Sequence, residues 1–115
     1  MELTIYHNPR CSKSRATLAL LESRGESPRV IDYLNAPPDA EELAGVLKLL
    51  GKPVLEMVRQ NEDAWAESGL DSEANESDVL AAIANAPILL QRPIVVRGKR
   101  AVIGRPPENI EQLFD

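Results

Sequence analysis

The first thirty-three residues alternate as strand, helix and strand, and this order most restricts the fold of the chain. Leu3-Thr4-Ile5-Tyr6 is a short apolar, partly β-branched run closed by Asn8-Pro9. From Ser12 to about Arg24 the residues favour helix, with Ala16, Leu18, Leu20 and Leu21 as apolar surface, and Gly25 stops it. Val30-Ile31-Asp32-Tyr33 then reads as a second strand. A helical crossover between two strands of one sheet makes those strands parallel.

The other end of the chain has the opposite order. Ile94–Arg97 and Arg100–Ile103 are strand-like runs around Gly98-Lys99, a hairpin signal. Pro106-Pro107-Glu108 opens a final helix running to about Phe114. Between the two ends the pattern is helical. Asp39 caps a helix with Glu42 three residues on, and Leu43, Val46, Leu47 and Leu50 share one face. Gly51 ends that helix. Short helices are expected over Val54–Arg59 and Ala64–Ser68, and another over Asp78–Asn85 with Val79, Leu80 and Ile83 inside. The expectation is a single α/β domain over residues 1–115: a mixed four-stranded sheet backed by helices, with a helical insertion at about 38–90 between a β-α-β and a β-β-α half.

The chain is 43% apolar, enough for one modest core. Its aromatics are Tyr6, Tyr33, Trp65 and Phe114, so that core is built mainly from Leu, Ile, Val and Ala. A net charge of −5 argues against a general nucleic-acid binder, which needs a basic face. No segment approaches the roughly 20 apolar residues of a membrane span, and the first residues lack a basic, apolar leader pattern. One cysteine and one histidine offer no zinc motif and no internal disulfide. No bound cofactor or metal is expected. A reducing compartment, the cytoplasm, is the expected location.

That one cysteine, Cys11, stands where the first strand turns into the first helix, in His7-Asn8-Pro9-Arg10-Cys11-Ser12-Lys13-Ser14-Arg15. Unpaired N–H groups at a helix start stabilise an anion. A free thiol ionises near pH ~8.5, and such a site lowers that value. Arg10, Lys13, Arg15 and His7 can add positive charge, with Arg15 one helical turn from Cys11. An isolated cysteine is often only a small buried hydrophobe; the cationic neighbours favour a reactive thiolate instead. Ser14 occupies the second position of an incomplete Cys-x-x-Cys motif, so any redox cycle must borrow a thiol from outside. Arg92 and Arg105 each precede a proline at the ends of the predicted hairpin, where guanidinium forks could meet a tetrahedral oxyanion. Arg59 by itself reads as a surface charge.

Together, Tyr6–Arg15, Arg59-Gln60-Asn61, Pro87–Val96 and Gly104-Arg105-Pro106 resemble the glutaredoxin-dependent arsenate reductase family of the thioredoxin fold over essentially the whole chain. The resemblance implies that Cys11 attacks arsenate or a similar small oxyanion. It matches Arg59, Arg92 and Arg105 to the arginines that bind the anion, and His7 to the residue that favours the thiolate. It matches Pro93 to the position of a cis-proline, while Ser12, Lys13, Ser14 and Arg15 complete the oxyanion cradle by their place at the helix start. Glutathione would serve as co-substrate and glutaredoxin as partner. Members often carry Gly-Thr where this chain has Ser12-Lys13. Two other readings fit the same residues: a glutathione-linked protein disulfide reductase, and a non-catalytic module like the Spx-type regulators that bind RNA polymerase. The redox-switched regulators use the Cys-x-x-Cys that Ser14 interrupts.

Overall fold

A computed structural model describes residues 2–114. The chain forms two compact units, Met1–Ala36 with Arg92–Asp115, and Pro37–Gln91.

The first unit holds the sheet. Strands β1 (Leu3–His7), β2 (Arg29–Asp32), β3 (Ile94–Arg97) and β4 (Arg100–Ile103) lie in the order β2-β1-β3-β4. β1 pairs parallel with β2, placing His7 beside Asp32, and antiparallel with β3, placing Tyr6 beside Ile94. Helix α1 (Ser12–Ser23) is the crossover that allows the parallel pair. Leu3, Ile5, Leu21, Val95, Ile110 and Leu113 form the buried cluster, with Leu18, Leu20, Val102 and Phe114 packed against it. Each fully buried aliphatic side chain there contributes about 1.5–3 kcal/mol.

Gly98 supplies the positive φ of the β3–β4 turn, and no non-glycine residue described has a positive φ; these are the φ signs of a type II′ turn. The last segment, Pro107–Leu113, is a 3₁₀ helix rather than the ordinary helix expected. The Asn109 N–H donates to Pro106 O three residues back at 3.0 Å, the i→i+3 bond of a 3₁₀ turn. This segment is held to the sheet and to α1 through Phe114. Arg24 and Arg97 approach its ring at 4.1 and 4.8 Å, and Arg97 Nη1 donates to Leu113 O at 3.0 Å.

α1 departs from its expected face. Ser14, Thr17 and Leu21 are its buried residues, while Ala16 is exposed. The N-terminal half of the helix turns hydroxyls inward because the loop and sheet end beside it present carbonyls and amides that need partners. β2 also ends one residue earlier than its apolar run suggested. Asp32 O accepts from the N–H groups of Asn35 and Ala36 at 3.1 and 2.8 Å, so Tyr33 lies in a turn.

In the second unit, Asp39 Oδ1 accepts from Glu42 N–H at 2.8 Å to start α2 (Ala40–Leu50), and Gly51 ends it with φ 64°. Leu43, Val46, Leu47 and Leu50 are all buried. Asn75 Oδ1 likewise caps α4 (Glu76–Asn85) through Asp78 N–H at 2.8 Å; α4 follows the short α3 (Asp63–Ser68) and packs on α2. The helix expected over Val54–Arg59 stops at Met57 as a 3₁₀ turn. Val58 is extended and bridges Leu90, and Gln91 N–H donates to Met57 O at 2.7 Å, because a β-branched residue favours a ladder partner over a helical turn. Among the described residues no helix is long and apolar enough to cross a membrane, and no cluster of His, Cys, Asp or Glu could hold a metal ion.

Candidate active site around Cys11

Asn8–Cys11 is a tight turn closed by Cys11 N–H donating to Asn8 O at 3.0 Å. Cys11 is the N-cap of α1, extended at φ −96° and ψ 123°, and its carbonyl accepts from Arg15 N–H at 3.0 Å. The first turn of α1 carries no acidic side chain, so its amides remain available to an anion. Burial, the largest influence on the half-buried sulfur, opposes ionisation. A hydrogen bond from the Arg92 side chain, the Ser14 and Lys13 backbone N–H groups and the Arg92 charge together outweigh it, holding the thiol below its ordinary value.

The loop is braced from inside. His7 is buried, and its Nδ1 lies 2.6 Å from Ser14 Oγ. Ser14 Oγ accepts from Asn8 N–H at 3.0 Å. Burial lowers the His7 pKa; Asp32 opposes that change and Arg15 adds to it. Burial thus favours the neutral imidazole, whose Nδ1 shares a hydrogen bond with the Ser14 hydroxyl. His7 anchors Ser14, and its burial disfavours the positive charge that its place in the sequence allows. Ser14 in turn offers Cys11 its backbone N–H, its hydroxyl being engaged by His7 and Asn8.

The outer residues of the loop are exposed. Ser12, Lys13 and Arg10 face solvent, and Arg15 Nη1 donates to Pro9 O at 3.0 Å, which ties that guanidinium to the turn. Arg92 comes from the sheet side, half-buried, just before β3. The Arg92–Pro93 bond is cis, and so is Arg105–Pro106, which the sequence did not mark. Exposed Arg105 donates from Nη1 to Arg92 O at 3.1 Å. The structure therefore brings Arg92 to Cys11 and the start of α1, and holds Arg105 on the Arg92 backbone carbonyl. Arg59 belongs to the second unit, where its N–H donates to Leu89 O at 2.7 Å and its Nη1 lies 3.3 Å from Glu62 Oε1.

Two supports escaped the sequence. Thr17 Oγ1 donates to Lys13 O at 2.8 Å and reaches Gly104 O at 3.3 Å. Gly104 N–H donates to Pro93 O at 2.8 Å. A Cβ on Gly104 would stand 2.7 Å from Thr17 Oγ1 and 2.9 Å from Pro93 Cγ. Gly104→Ala is expected to cost about 1–3 kcal/mol, lowering Tm by roughly 5–15 °C in a thermal melt followed by circular dichroism. An unchanged Tm would mean that Thr17 and Pro93 yield freely.

A model of the ArsC family matches residues 6–113. The chain belongs to the ArsC family. It is 49% identical to the arsenate reductase of Neisseria meningitidis serogroup A over 98% of each chain. It is 46% identical to the uncharacterized protein YfgD of Escherichia coli K12, covering 97% of this chain and 96% of that one. The solved structure of an arsenate reductase from Vibrio cholerae superposes with a TM-score of 0.94 at 46% identity, covering 99% of this chain and 98% of the other. This ArsC-family chain has the thioredoxin-like mixed sheet of that structure.

Proposed function

We propose that the protein reduces arsenate to arsenite, with Cys11 as nucleophile and glutathione and glutaredoxin as reductants. The observation that carries this reading is a thiol held below its ordinary value by Arg92 and two helix-start amides. The same positive groups that stabilise a thiolate also attract an oxyanion. Relatives named as arsenate reductases supply the substrate.

In this reaction the Cys11 thiolate forms an S–As bond and an arsenate oxygen leaves as water, taking up protons. Arg92 and Arg105, with Arg59 by resemblance, offset the oxyanion charge. Glutathione displaces a second arsenate oxygen as water to give a mixed Cys11–arsenic–glutathione adduct; the glutaredoxin thiolate attacks the glutathione sulfur, leaving the S–As electron pair on arsenic as As(III), and water then displaces arsenite from Cys11. The two electrons that convert As(V) to As(III) come from these two outside thiols, which end joined as a disulfide. Outside thiols are required because Cys11 is the sole cysteine of the chain.

The reduced, folded protein is expected to form arsenite from arsenate only when glutathione and glutaredoxin are both present. Arsenite at background level in that mixture would end the proposal. The thiol also has its own test. The rate of Cys11 alkylation by iodoacetamide should rise with pH around a midpoint below the ~8.5 of a free thiol, since a lowered pKa leaves more thiolate at neutral pH. A midpoint at the free-thiol value would contradict the activated site.

A further inference from the structure

Tyr33 lies just past β2, one residue beyond the His7–Asp32 register pair. It therefore stands beside Asn8, where the two parallel strands end and the Cys11 turn begins. In sheets with parallel strands, ligands collect at these carboxyl ends. The side chain is fully buried at 0% exposure, and its hydroxyl meets no group in good hydrogen-bonding geometry. The Asn8 and Arg92 side chains approach it closely enough for weak hydrogen bonding, and the Arg92 and Cys11 charges act on it. A phenol desolvated this completely without a well-formed hydrogen bond is costly, and phenylalanine would fill the same space without that cost. The position of the hydroxyl suggests what partner it lacks, since its polar neighbours are the nucleophile, the guanidinium bonded to that nucleophile, and the turn that carries it.

We propose that Tyr33 is a further residue of the oxyanion site, whose uncharged hydroxyl hydrogen-bonds an oxygen of the anion held by Arg92 and the Cys11 loop. The inference rests on the oxyanion reading above. Burial raises the Tyr33 pKa, an effect that Arg92 and Asn8 oppose and Cys11 reinforces; the phenol thus stays protonated at neutral pH and keeps a proton to donate. Arginines supply charge but only donor groups. A hydroxyl can donate to a bare oxygen or accept from a protonated one, which suits a partly protonated tetrahedral anion.

The test uses arsenate protection of Cys11 against iodoacetamide. In the unsubstituted protein, arsenate is expected to slow alkylation. In Tyr33→Phe, half-protection should need roughly tenfold more arsenate, as for loss of a hydrogen bond to a charged ligand. Without arsenate the alkylation pH midpoint should not move, and Tm should hold or rise; a merely structural role would lower Tm and leave arsenate affinity unchanged. Equal protection in both proteins overturns the role of Tyr33 alone. Absence of protection in the unsubstituted protein overturns the anion site and this inference together. A second readout keeps the chain nearly intact. In Tyr6→Phe protein labelled with 3-fluorotyrosine, Tyr33 is the only label, and arsenate should shift its fluorine resonance. A resonance that stays in place while Cys11 is protected overturns the proposal.

Discussion

Cys11→Ser is expected to abolish arsenate reduction, with the rate of arsenite formation falling by more than about 10³-fold. A serine hydroxyl has nearly the shape of the thiol and can receive the same N–H groups from Lys13 and Ser14. It does not ionise in the range where Arg92 and those amides hold the Cys11 thiol. The fold has little reason to change. Cys11 is only half-buried, it lies outside the apolar cluster, and its backbone bonds to Asn8 and Arg15 do not depend on the side chain. Loss of turnover with an unchanged melting curve is therefore the expected combination. Turnover near the unsubstituted rate would remove Cys11 from the chemistry.

Arg92→Ala should lower kcat/KM for arsenate by about 10²–10³-fold, the usual cost of one donor in an anion site. It should also move the Cys11 alkylation midpoint upward. Burial would still oppose the thiolate, and both the hydrogen bond and the charge that offset it would be gone. The two effects have one cause, so they should appear together. Arg105 is held by the Arg92 backbone carbonyl, which alanine retains, so the substitution separates the guanidinium from the loop geometry. Arg92→Lys should recover part of the midpoint shift through its charge, and less of the turnover, because an ammonium lacks the planar fork. An unchanged midpoint in Arg92→Ala would mean that the helix-start amides alone activate the thiol.

The strands and their pairing were legible because each signal is local. A parallel β1–β2 pair follows from a helix between two apolar runs, and the β3–β4 hairpin follows from Gly98 between two more. The Asp39 cap and the Leu43–Leu50 stripe are equally local, since capping and periodicity operate within a few residues. Errors fell where a distant partner decides the local shape. Val58 looks helical until Leu90 offers it a bridge. Ala16 looks like the inner face of α1 until the turn beside it draws Ser14 and Thr17 inward.

The candidate site divides in the same way. The sequence by itself placed Cys11 at a helix start among cations and, having no second cysteine, made an outside thiol necessary. Only the tertiary structure brought Arg92 to the sulfur, since the pairing of β1 with β3 joins positions far apart in the chain, such as Tyr6 and Ile94. It also decided what the neighbours do. His7, a possible charge in the sequence, is disfavoured as a cation by its burial and braces Ser14 instead. Tyr33, one aromatic among a few in the sequence, became a buried hydroxyl near Asn8 and Arg92 because β2 ends beside the Cys11 turn. Charge and helix propensity belong to short stretches of chain, whereas desolvation exists only once distant residues exclude the water.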